Sequence, residues 1–200
     1  MDTPHKYTAS TDYINNLTFD YVETYSLQRG LEYEENLERI KAEYDRLKVR
    51  RERRNNLTNI EEERFYKLDG LLGFTQYVIN DKGQFHHSSK KTNTFQANDP
   101  IIKRLKDILG TEIKEIPSWM CAPIYRDAIV FYDDNNQIIS TLNICLSCQY
   151  METKMFNHIN GDVATYDLLK KFFIDIGHNV EDSASFEMDD VDKLKVRQDN

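Results

Sequence analysis

The sequence predicts an α+β protein: an N-terminal helical arm or hairpin, then a small antiparallel-sheet domain flanked by helices. Three observations carry this. Tyr33, Leu37, Ile40, Tyr44 and Leu47 recur at helical spacing. Two β-branched and aromatic runs flank Asp133-Asp134-Asn135-Asn136, a strand-turn-strand pattern. Two segments bounded by helix start and stop signals, Asp99-Pro100 to Gly110 and Asp162 to Gly177, lie on either side of that hairpin.

The chain has 200 residues, 40% hydrophobic and 30% charged, which suits one domain with a helical appendage. No window approaches the roughly eighteen apolar residues of a membrane span. The first ten residues lack the basic start and apolar core of a signal peptide, so the reading expects a cytoplasmic protein. An odd count of three cysteines agrees with a reducing compartment. Of the net charge of −8, residues 181–200 supply half, with seven acids against three bases. That balance argues against a general nucleic-acid binder and leaves room for a local basic patch.

Taken in order, residues 1–73 read as the arm, 74–180 as the α+β domain and 181–200 as an acidic tail. Residues 12–27 carry Tyr13, Ile14, Leu17, Phe19, Tyr21, Val22 and Tyr25 at mixed spacing and are expected to form a short helix. The stripe from Tyr33 to Leu47 then ends in five cations across residues 48–54. Arg50, Arg51, Arg53 and Arg54 suit a helix C-terminus, whose dipole they complement, or else an acidic or nucleic-acid partner. Asn55-Asn56 marks a break, and Thr58-x-x-Glu61 is a capping box opening a second helix that stops at Gly70 or Gly73. One uninterrupted helix over 31–72 is the alternative. Leu37, Ile40, Tyr44 and Leu47, with the four arginines, are the candidate partner-binding residues.

Beyond Gly73, residues 74–79 and 84–87 read as short strands about an Asp81-Lys82-Gly83 turn, and 88–98 as a loop. A helix follows from Pro100, then a short strand over 111–116. In the hairpin, a two-residue turn at Asn135-Asn136 makes the numbers of paired residues sum to 271. Ile129, Phe131, Ile138, Leu142 and Ile144 then share one face. Residues after Cys148 read as a loop through Gly161, and the last helix turns Val163, Tyr166, Leu169, Phe172, Phe173 and Ile176 inward.

All three cysteines fall near the open end of the hairpin: Cys121, Cys145 and Cys148. Three readings stand side by side. They are small buried hydrophobes, or thiolate ligands of a structural zinc completed by His158, or redox thiols, with a Cys145–Cys148 disulfide or Cys121 as resolving partner. The zinc reading lacks a second ligand pair. The redox reading lacks a helix start after the C-x-x-C. No nucleotide-binding, nucleophile-elbow or zinc-protease motif is present. The expectation is a non-enzymatic cytoplasmic protein that binds a protein partner or self-associates through the arm, with no membrane role and no general nucleic-acid role. The alternative is a thiol-dependent redox sensor or metal-dependent enzyme centred on the cysteines.

Overall fold

A computed structural model describes residues 5–53, 57–73, 75–118 and 122–180. The fold is α+β, built on one seven-stranded, mostly antiparallel sheet. Its strands are β1 (Lys6–Ala9), β2 (Tyr21–Ser26), β3 (Lys90–Gln96), β4 (Asp127–Tyr132), β5 (Ile138–Cys145), β6 (Tyr150–Lys154) and β7 (Asn157–Asn160). They lie in the order β1-β7-β6-β5-β4-β2-β3, and only the β1–β7 pair is parallel. The helices are α1 (Ser10–Asn15), α2 (Leu31–Glu52), α3 (Asn59–Gly73), α4 (Pro100–Leu109) and α5 (Val163–Asp175). None of them is long and apolar enough to cross a membrane.

The β4–β5 pairing follows the register read from the sequence. Asp127 faces Ile144, Ile129 faces Leu142 and Phe131 faces Ser140. Ile129, Phe131, Leu142 and Ile144 all enter the main core, against Leu105, Leu109, Leu169, Phe172 and Phe173 of α4 and α5. Each such buried side chain contributes about 1.5–3 kcal/mol relative to exposure. The turn itself differs from the expected one. Asp133 Oδ1 accepts from the Asn135 and Gln137 amides at 2.9 and 2.8 Å, and Asn136 takes a left-handed φ of 61°. That longer loop shifts the register between Phe131 and Tyr132, so Ile138 faces Tyr132 and stays exposed.

Four further expectations are corrected. Residues 12–27 do not form one helix: α1 ends at Asn15, and Tyr21–Ser26 is an inner strand between β3 and β4. The burial of Val22 and Thr24 at every second position is the period of a strand, whose successive side chains point to opposite faces, and Tyr25 is buried on the other face. Residues 88–98 are not a loop, since Lys90–Gln96 pairs with β2 as an edge strand. Nor are 149–160 a loop: β6 and β7 complete the sheet, with Cys145 opposite Tyr150. No strand forms over 111–116; the Lys114 and Glu115 amides donate instead to Asp162 Oδ2, at 2.8 and 2.9 Å.

The capping signals hold. Asp162 Oδ1 accepts from the Ala164 amide at 2.9 Å and opens α5, and Gly177, at φ 90°, follows its last turn. Thr58 and Glu61 form the reciprocal box that starts α3: the Thr58 amide donates to Glu61 Oε2 at 3.0 Å and the Glu61 amide to Thr58 Oγ1 at 3.3 Å. Helices α2 and α3 make a hairpin with its own small core of Leu47, Phe65 and Leu68. Asn55-Asn56 and Arg54, at the expected break, lie outside the described residues.

Candidate functional site

The partner-binding residues read from the stripe divide into two groups. Leu47 is buried inside the hairpin, with Ile40 and Tyr44 packed against that core and the Tyr44 ring stacked on Phe65 at 5.1 Å. Arg50 clamps Glu61 with both guanidinium nitrogens, and this bond adds to the capping box in holding the Glu61 carboxyl down at about 2. Arg51 lies over Phe65 and Tyr66 and donates to the Tyr66 hydroxyl at 2.9 Å. These two arginines therefore close the hairpin, and Arg53, its C-cap, is exposed. Leu37 sits lower, where the hairpin meets the sheet.

At that root lie two clefts separated by Tyr33 and Leu37. One, of about 310 Å³, is bounded by Arg29 and Gly30 at the exit of β2, Tyr33 and Arg39 of α2, and His87, Ser88 and Lys90 leading into β3. The other, of about 250 Å³, has an apolar floor of Leu37, Leu71, Leu72, Pro123 and Ile124 with Lys41 and Arg126 on its rim. Two local features shape the root: Gln28 and Gly30 have φ of 52° and 97°, which turns the chain from β2 into α2. Gln28 is pinned there by its side-chain amide, which donates to the Tyr125 carbonyl at 2.9 Å.

The sheet face opposite α4 and α5 carries a polar row that sequence reasoning missed. Directly paired residues place Tyr7, His158, Glu152, Asn143, Ala128 and Tyr25 side by side across six strands. Buried Glu152 accepts from the hydroxyls of Tyr77 and Tyr125 at 2.5 and 2.8 Å. Burial, then the Glu152 charge, pushes both phenols well above their ordinary range. Asn143 holds the crossing segment, accepting from the Val78 amide at 2.8 Å. His158 Nε2 lies 2.8 Å from His5 Nδ1 with the rings 3° apart, and its Nδ1 is 2.8 Å from Glu152 Oε1 but out of line for a hydrogen bond. Burial lowers the His158 pKa; Glu152 opposes this and His5 adds to it. The legible signal was period-two alternation: Met151 and Ile159 face the core, so Glu152 and His158 must face the other way.

A second polar chain ties the end of α5 to the sheet. His178 Nδ1 meets Asp127 Oδ1 at 2.7 Å, its Nε2 meets Thr92 Oγ1 at 2.7 Å, and Arg29 donates to Asp127 Oδ2 at 2.9 Å and to the Asn179 carbonyl. In space the three follow the order of an acid-base-hydroxyl relay, yet the arrangement ties segments together. The His178 side chain is fully buried, and the Thr92 hydroxyl already donates to the Thr24 carbonyl at 2.9 Å. No face of the imidazole is left to protonate a leaving group.

The thiols separate. Cys145 is free and buried at the end of β5, with Sγ 3.4 Å from Ser147 Oγ. Cys148 is disulfide-bonded, so the Cys145–Cys148 pairing considered from the sequence is not made. Cys145 is the last residue of β5, and Cys148 lies in the turn that leads into β6. Cys121 lies outside the described residues. A sulfur in a disulfide is not a thiolate donor, and both His158 nitrogens face other side chains. Among the described residues, no group of three or more His, Cys, Asp or Glu stands together to hold a metal, so the zinc set does not fit them. Compared with protein-family models, curated proteins and solved structures, the chain matches none.

Proposed function

We propose that the protein is a non-enzymatic binding protein whose helical hairpin pairs with a second copy of itself. The supporting observation is α2. Among the described residues it packs on α3 and makes no comparable packing with the sheet, α4 or α5. Its outer face, Glu35, Glu38, Ala42, Arg46 and Val49, is exposed throughout. Charge is segregated along it: Glu32, Glu34, Glu35 and Glu38 occupy the first two turns, and Arg46, Lys48, Arg50 and Arg51 the last two, with Glu52 the one acid among them. Two copies crossing antiparallel about Ala42 set Glu38 of each against Arg46 of the other, a self-complementary contact.

Light scattering tests this on the full chain. Dimer is expected at about 100 μM in low salt; Glu38→Arg should yield monomer, and the charge-swapped double variant Glu38→Arg/Arg46→Glu should recover the dimer. A wild-type chain that stays monomeric sinks the reading, as does a single variant that still dimerises.

A thiol-dependent role is the second reading, favoured by one oxidised cysteine, Cys148, beside one reduced, Cys145. It requires a reactive thiol. Iodoacetamide should then modify the native protein faster than a free-cysteine peptide at neutral pH, and slower modification removes this reading.

A further inference from the structure

We infer that the cleft of about 310 Å³ at the hairpin root is a docking site for an acidic segment of a partner protein. The cations come from three separate elements. Arg29 leaves β2, Arg39 projects from the third turn of α2, and Lys90 begins β3, with His87 on the loop before it. Among the described residues, Glu32 is the one carboxylate on the wall. This concentration occurs in a chain whose net charge is −8, and it is confined to the residues that line the cleft.

The three cations differ in how far they are already satisfied. Arg29 is spoken for: Asp127 and the Asn179 carbonyl hold its guanidinium, which makes it a fixed wall. Among the described residues, Arg39 donates only from Nε, to the Glu35 carbonyl of its own helix at 3.4 Å, leaving the two terminal nitrogens for a ligand. Lys90 is exposed and, unlike its neighbour Lys91, which pairs with Glu23, has no side-chain partner among the described residues. Two free cations on opposite walls suit two carboxylates carried on one extended segment. Tyr33 between them supplies an aromatic face for the intervening residue. The amides at the start of α2, whose N-cap Gly30 supplies no side chain, add to the same sign of field.

This site is distinct from the outer face of α2, so it stands or falls apart from hairpin pairing. The measurement is fluorescence anisotropy of a labelled peptide of alternating glutamate and glycine, titrated with the full chain in 50 and 300 mM NaCl. A glutamine-glycine peptide is the control. Binding should appear only for the acidic peptide and weaken at the higher salt. Arg39→Glu and Lys90→Glu should each weaken it about tenfold, whereas Lys67→Glu on the exposed side of α3 should leave it unchanged. Equal losses from all three variants mean general attraction and overturn the proposal. So does an oligocytidylate that binds more tightly than the peptide, which makes phosphodiester the true ligand. Neutralising the acids of residues 181–200 in the full chain adds a last arm. A large gain in peptide affinity shows that the chain's own acidic segment occupies the cleft, which overturns the choice of an external partner. No change supports it.

Discussion

Single side chains in this protein hold distant segments together through buried charge. Asp162 is the clearest case. Its carboxylate accepts from the amides of Lys114, Glu115 and Ala164, and those bonds hold its pKa below the ordinary aspartate value. The stability it contributes is present above that ordinary value and is lost as pH falls through the lowered one. Melting temperature measured against pH should show this acid limb in the wild type, and Asp162→Asn should flatten it. Glu152 acts by a different route. Glu152→Ala leaves the Tyr77 and Tyr125 hydroxyls buried without an acceptor and should cost about 2–4 kcal/mol in urea unfolding. Tyr125→Phe removes one donor only and should cost about 1 kcal/mol.

Elements were legible wherever local chemistry alone specifies them. The capping box at Thr58, the Asp99-Pro100 start of α4 and the Asp162 start of α5 all involve contacts within four residues. Thr58→Ala should therefore loosen α3 by about 1 kcal/mol, visible as faster amide exchange in Asn59–Gly73 while the sheet is unaffected. The β4–β5 register was equally legible, because a slip of one residue would turn Ile129, Phe131, Leu142 and Ile144 out of the core. What the pattern missed was the extra loop residue, which Asp133 stabilises by accepting two amides. Strands β2, β3 and β7 were illegible because each is short or polar and has a pairing partner distant in sequence; β6 pairs with its sequence neighbours β5 and β7, and its short run of mixed polar residues hid it.

At the scale of the whole molecule, charge and acid sensitivity are unevenly placed. His86, beside the hairpin root, is held down to about 4 by burial and by neighbouring His87. Its folded value lies below the unfolded one, so the unfolded chain takes the proton first as pH falls below about 6.5. Stability should thus decline between about pH 6.5 and 4, before the carboxylates titrate, and His158, also lowered, acts in the same direction. Denaturant midpoints at pH 7, 5.5 and 4.5 check this; His86→Gln should reduce the fall between them. A midpoint unchanged across that range contradicts the inference.

By itself, the sequence determined the class, α+β, the helical hairpin, both capped helices and the central β-hairpin with its buried face. These depend on periodicity and on contacts a few residues apart. Tertiary structure alone decided the rest: that residues 21–26 lie between β4 and β3, that Glu152 and His158 are paired neighbours, and that Arg39 and Lys90 face one cleft. The physical reason is that a strand's place in a sheet and a cleft's lining are set by which distant segments share hydrogen bonds. No local preference encodes that choice.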